Sequence, residues 1–139
     1  MELLKKLCKI HAPSGEEEVL RDFLINYIKS KQSNWKTKPT LYFGKGFQDN
    51  LILVFGKPNV AVFAHMDSIG FTVKYNNEIV KIGGPKTNEG ITLIGKDSKG
   101  DIEGKIFKKD KKVYIEFDRI IDRGTSLTYK IDFRENDDY

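Results

Sequence analysis

The second half of the chain is a series of short apolar runs that recur about every ten residues. Glycines separate the runs, which occupy residues 91–94, 102–107, 113–117 and 127–133. Strands this short with turn residues between them are typical of a small β-barrel or sandwich. The spacing therefore predicts a compact β-rich unit for this half.

Two amphipathic helices are predicted before any strand. Apolar residues at helical spacing over residues 3–10 end at Ala12-Pro13, because proline cannot continue a helix, and Cys8 is predicted near their buried face as a small core residue. Ser14-Gly15-Glu16-Glu17 matches a capping box for a second helix with apolar positions between residues 19 and 28. The chain is thus expected to open with helix, turn and helix.

The pattern then changes to strands at residues 40–43, 51–55, 60–65 and 69–75, with a returning strand at 78–82. Residues 60–65 read Val-Ala-Val-Phe-Ala-His, a β-branched and aromatic run that predicts a buried strand. Helices followed by strands with two apolar faces are typical of a layered sheet. The predicted class is α/β, with amino-terminal helices and part of a layered sheet in residues 1–78. A small β-barrel-like domain follows in residues 79–139, the boundary falling between residues 75 and 85.

Charge and composition exclude several classes of function. The 139 residues carry 24 basic and 20 acidic side chains, and this net charge of +4 is spread along the chain, so no nucleic-acid partner is expected. No apolar run approaches the length of a membrane span, and the first residues lack the apolar core of a signal peptide. The single cysteine cannot form an internal disulfide. We therefore expect a cytoplasmic protein with no membrane partner.

One dense basic stretch covers residues 105–113. It is interpreted as a hairpin whose lysines are solvated and protect a sheet edge. The alternative is a phosphate-binding ribbon in which Phe107 and Tyr114 stack on bases. The polar residues 134–139 are predicted to form an exposed tail.

The chemistry-bearing candidates are His65 and Asp67, which follow the apolar run 60–64. Two residues apart on a strand, they leave the same face, and a carboxylate beside a metal-binding imidazole fixes its tautomer. The pair predicts a metal-binding site at the end of the strand, although a partly buried histidine paired with a carboxylate is also an ordinary structural feature. His11, at the end of the first helix, is expected to contact terminal carbonyls, with a metal-ligand role as its alternative.

Several motifs in order resemble the glutamyl-aminopeptidase and tetrahedral-aminopeptidase family of cobalt- or zinc-dependent peptidases, some of whose members are labelled endoglucanases. The resemblance spans nearly the whole chain. The motifs are Ala12-Pro13-Ser14-Gly15-Glu16-Glu17, Asp49-Asn50-Leu51-Ile52, Ala64-His65-Met66-Asp67-Ser68-Ile69-Gly70-Phe71-Thr72-Val73, Ile82-Gly83-Gly84 and Gly100-Asp101-Ile102-Glu103-Gly104-Lys105-Ile106.

The resemblance implies an α/β exopeptidase domain interrupted by a β-rich domain that helps to assemble a homo-oligomer, with peptides as substrates. It implies two divalent metals, zinc or cobalt, in each complete site. His65 would be a ligand of one metal, and Asp67 would contribute to catalysis by orienting His65. The metals would polarise the peptide carbonyl and activate a bridging water. Ser68 departs from the family, which often has glutamate at that place, so we expect a changed environment on the substrate side.

The resemblance also implies that the other metal ligands and the general base lie beyond Tyr139. The chain is therefore expected to be the amino-terminal portion of a metallo-aminopeptidase and to be inactive alone. The alternative is a non-catalytic association or regulatory module that retains an incomplete metal site. A carbohydrate hydrolase is less favoured, because no pair of carboxylic acids stands out in the sequence.

Overall fold

The computed structural model describes residues 2–133. It is a mixed α/β structure, in which two helices precede the eight strands. The elements in chain order are α1 (Glu2–Lys9), α2 (Glu18–Lys31), β1 (Thr40–Phe43), β2 (Leu51–Val54), β3 (Gly70–Val73), β4 (Ile79–Ile82), β5 (Thr92–Asp97), β6 (Gly100–Lys109), β7 (Lys112–Glu116) and β8 (Ser126–Tyr129). Among these residues no helix has the length and apolarity that a membrane crossing requires.

Six antiparallel strands form a barrel-like sheet in the order β4-β3-β8-β5-β6-β7. A further antiparallel bridge between Glu78 and Tyr114 brings the two edges of the sheet together, so the barrel is nearly closed. The β-rich unit predicted from the spacing is confirmed in this form. It starts at β3, before residue 79, while the division into domains at residues 78 and 79 stays a prediction.

The barrel has its own hydrophobic core. Alternate residues of its strands point inward, and nine apolar side chains are buried together: Phe71, Val73, Ile79, Leu93, Ile102, Ile106, Ile115, Ile121 and Leu127. Gly104 allows β6 and β7 to approach closely, because a Cβ atom there would lie 2.3 Å from the Glu116 carbonyl oxygen. The strands and loops of the barrel therefore supply enough apolar side chains to fill its interior.

Residues 2–69 are packed differently. β1 and β2 form a separate two-stranded antiparallel sheet. In this part of the chain the buried aliphatic side chains are Ala12, Ile25 and Ile28. The α/β class is therefore consistent with the structure. Within residues 2–69, however, the predicted layered sheet is represented only by the two strands β1 and β2.

The predicted buried strand at residues 60–65 is wrong. These residues form no strand, and the side chains of Val62 and Phe63 are 92% and 91% exposed. β-branched and aromatic residues favour an extended chain, but burial requires neighbouring strands and a covering layer. None of the strands in residues 2–133 pairs with this run, so its apolar side chains face solvent.

Two predictions about the amino-terminal helices are also wrong. α1 has no buried residue and Cys8 is exposed, because none of the other elements within residues 2–133 packs closely over the helix. The capping box does not form. A turn with Gly15 at a φ of +97° separates Ser14 from α2, and the Glu17 carboxylate accepts from the Gly15 amide at 2.9 Å.

The basic stretch is a hairpin, as predicted. β6 and β7 are joined by Asp110 and Lys111, both at positive φ. The rings of Phe107 and Tyr114 stack on each other with centroids 5.2 Å apart. Phosphate binding by this hairpin stays a prediction, and the proposed tail at 134–139 lies outside the described residues.

Candidate functional site

His65 and Asp67 meet although neither lies on a strand. The Nδ1 atom of His65 lies 3.0 Å from the Asp67 carbonyl oxygen and 3.3 Å from its Oδ1 atom. Both oxygens are acceptors, so we assign the proton of the neutral ring to Nδ1. The Nε2 lone pair then remains available, and the side chain is 86% exposed. The ring is thus held at one nitrogen and open at the other.

The other carboxylate oxygen of Asp67 contacts the amino-terminal turn. Ser14 Oγ donates to Asp67 Oδ2 at 3.0 Å. The next residue is fixed through its backbone, since the Ser68 amide donates to the Ala12 carbonyl at 2.7 Å. In return the Ala12 amide donates to Ser68 Oγ at 3.2 Å. The segment after α1 therefore holds the loop that carries Asp67.

Residues from three separate motifs line one cavity of about 270 Å³. They come from the turn before α2, the loop before β2 and the loop before β3. The lining residues are Glu17, Gln48, Asp49, Asn50, Ala64, His65, Met66 and Asp67. The fold thus brings the Asp49-Asn50 and His65-Asp67 motifs to the same place.

The carboxylates around this cavity already have partners. Asp49 pairs with Arg21, and Glu17 accepts from the Gly15 amide. No three histidine, cysteine, aspartate or glutamate side chains within residues 2–133 are arranged to hold one metal ion. His65 fits the role of a metal ligand through Nε2, but the described part of the chain does not form a complete two-metal site.

His11 lies elsewhere, in a cavity of about 540 Å³ between the end of α1 and the barrel. Both of its ring nitrogens are buried and lack a hydrogen-bond partner within residues 2–133, so the expected contact with terminal carbonyls is not made. Burial lowers the pKa of His11, and the nearby Glu16 carboxylate opposes this effect. His11 is not among the residues that line the His65 cavity.

Sequence reasoning missed two arrangements. Ser14 was expected to cap α2, and no local signal points to Asp67, which lies 53 positions away. The second is a buried ion pair in the barrel. The Asp97 side chain is fully buried and accepts from Arg119 at 2.6 and 2.8 Å. These bonds hold the pKa of Asp97 well below its usual range.

Comparison with known proteins gives a partial similarity. A stretch of 80 residues is 34% identical to the Escherichia coli (strain K12) protein named "Putative aminopeptidase FrvX". It covers 56% of this chain and 20% of that protein, so it includes the middle of this chain, where His65 and Asp67 lie. No protein-family model matches the chain. The chain is therefore similar, over a stretch that includes its middle, to one fifth of an aminopeptidase-related protein.

Proposed function

We propose that this chain contributes part of the active site of a metal-dependent aminopeptidase, which removes amino-terminal residues from peptides. The observation that carries the proposal is the His65-Asp67 pair, which lines a cavity within the region of similarity and in which His65 is held at Nδ1, while its Nε2 atom makes no hydrogen bond within residues 2–133. A neutral imidazole whose other nitrogen is held by a carboxylate or carbonyl is the usual form of a metal-binding histidine.

In this proposal His65 would hold one of two divalent metals, zinc or cobalt, and Asp67 would orient the His65 ring. A bound metal would supply polarisation of the peptide carbonyl and activation of water. The residues of this chain would fix the tautomer of His65 and leave its Nε2 atom open to a metal. We further propose a cytoplasmic homo-oligomer, in line with the resemblance described above.

A hybrid protein tests the proposal. The stretch of the E. coli relative that aligns with this chain is replaced by the matching residues of this chain, and hydrolysis of amino-acid p-nitroanilides is measured with zinc or cobalt. We expect His65→Ala to lower kcat/KM by at least about 100-fold, because losing even the partner of a metal ligand costs about 10- to 100-fold. Tyr75→Phe is the matched control, since Tyr75 is 67% exposed on the barrel and does not line the cavity. A hybrid that keeps its activity and metal content with His65→Ala would refute the assignment.

A non-catalytic association module is the second candidate. It is favoured by one observation: the barrel has a full core of its own, whereas no group of three potential ligands holds a metal site within residues 2–133. Loss of metal from the purified chain after dialysis is expected of both candidates, because His65 alone offers too few ligands, so the activity of the hybrid protein decides between them. One tightly held zinc or cobalt ion for each chain would exclude the non-catalytic module.

A further inference from the structure

The turn between α1 and α2 is tied to the loop that carries the candidate ligand. Pro13 and Ser68 form a parallel bridge, and the backbone of Ala12 exchanges two hydrogen bonds with Ser68. Ala12 and Pro13 are both buried, so this connection is shielded from water. The backbone contacts set where Asp67 lies, but they leave the direction of its carboxylate free.

Ser14 supplies the missing constraint. Its Oγ atom donates to Asp67 Oδ2, and Oδ1 lies 3.3 Å from His65 Nδ1, beside the Asp67 carbonyl oxygen that is 3.0 Å from the same nitrogen. The carboxylate thus contacts the hydroxyl on one side and adds a second acceptor beside the imidazole on the other. A hydroxyl that donates to a carboxylate makes a charge-assisted hydrogen bond, which is stronger than a neutral one.

The competing role for Ser14 is the helix cap that its sequence context suggests. A cap requires the hydroxyl to accept from an amide in the first turn of the helix. α2 begins at Glu18 with no side-chain cap, and the Ser14 hydroxyl acts as a donor. The hydroxyl is therefore committed to the site and not to the helix.

We propose that Ser14 is a positioning residue of this site: it fixes the Asp67 carboxylate so that Asp67 holds His65 as the Nδ1–H tautomer, with Nε2 free for a metal. The role of the free Nε2 atom in binding a metal rests on the proposed function. The positioning itself is a property of the metal-free chain and can be measured there.

Nitrogen-15 NMR of the two histidines gives the test. At about pH 8.5, above the ordinary range of imidazole pKa values, the nitrogen shifts report the ratio of the two neutral tautomers. The chain has two histidines, so the His11→Gln variant assigns the His65 signals. We expect Nδ1–H to dominate in the unchanged chain. Ser14→Ala should lower the ratio of Nδ1–H to Nε2–H by about two- to ten-fold, the range expected for the loss of one hydrogen bond.

Three further variants make the result specific. Ser14→Thr keeps a hydroxyl and should restore the ratio. Ser30→Ala is the matched control, because the Ser30 hydroxyl donates to the Tyr27 carbonyl on α2, and it should leave the ratio unchanged. Ser14→Ala in an Asp67→Ala background should have no additional effect, since the hydroxyl acts through that carboxylate. The backbone bonds of Ala12 do not involve the Ser14 side chain, so these variants should retain the fold, which circular dichroism checks.

Several outcomes would overturn the proposal: an unchanged ratio in Ser14→Ala, an equal change in Ser30→Ala, or an effect of Ser14→Ala that persists without the Asp67 carboxylate. A changed ratio together with a hybrid protein that keeps its activity and metal content with His65→Ala would support the positioning and refute the proposed role of His65 as a metal ligand. The two proposals can therefore fail separately.

Discussion

The barrel core is filled, whereas apolar side chains of the amino-terminal half face solvent. Replacing an apolar side chain by alanine should therefore cost much more stability in the barrel than in the amino-terminal half. Leu127 is fully buried in the barrel core, and Val62 is 92% exposed. Leu127→Ala removes buried methyl groups and leaves a cavity, which costs about 2 to 5 kcal/mol of the free energy of unfolding. Val62→Ala removes groups that are already in water, so the cost should stay within about 0.5 kcal/mol.

Urea unfolding followed by far-ultraviolet circular dichroism measures both costs. With a denaturant slope of about 1.5 kcal/mol per molar, Leu127→Ala should lower the urea midpoint by about 1.3 to 3.3 M. Val62→Ala should move it by less than about 0.4 M. If Leu127→Ala prevents folding, Ile106→Val at another buried position should cost about 0.5 to 1.5 kcal/mol. Equal shifts for Leu127→Ala and Val62→Ala would refute the reasoning, because residue 62 would then be covered in the folded chain.

Three other predictions concern the barrel and the candidate site. The pKa of Asp97 is lower in the folded chain than its unfolded value because Arg119 binds the carboxylate, so its stabilising contribution is complete above about pH 5 and is lost as the pH falls below about 4. Urea midpoints should show this loss in the unchanged chain and in the exposed control Asp101→Asn, but not in Asp97→Asn, and equal acid sensitivity in all three would contradict it. Gly104→Ala should destabilise the barrel by more than about 1 kcal/mol in the same assay, since the added Cβ would overlap β7, and an unchanged midpoint would show that the strands can separate at no cost. The purified chain should lose zinc on dialysis, because His65 offers one ligand where a structural site uses four, and retained stoichiometric zinc would show that further ligands assemble around it.

The barrel was the most predictable part of the chain. Its strands alternate inward and outward residues and are separated by turn residues, as in Asp110-Lys111 between β6 and β7. These signals act over a few residues, and the inward side chains find partners within the same unit. The predicted strand boundaries therefore differ from the observed ones by only a few residues.

The candidate site was predictable in its residues and not in its contacts. His65 and Asp67 stood out because of their spacing, and the two side chains do meet. The Ser14 contact to Asp67 joins positions far apart in the chain, and its local context indicated a helix cap instead. The Asp97–Arg119 pair likewise had no signal in the sequence, because neither residue lies in a recognisable motif.

The sequence by itself determined the helical start, the series of short strands and the residues able to carry metal chemistry, because propensity, periodicity and side-chain type are local properties. Only the tertiary structure decided which apolar runs are buried. Residues 102–106 and 60–63 both have the pattern of a strand, yet Ile102 and Ile106 are covered by neighbouring strands while Val62 and Phe63 face solvent. Burial is a relation between segments, and the free energy that it contributes depends on what another part of the fold places beside them.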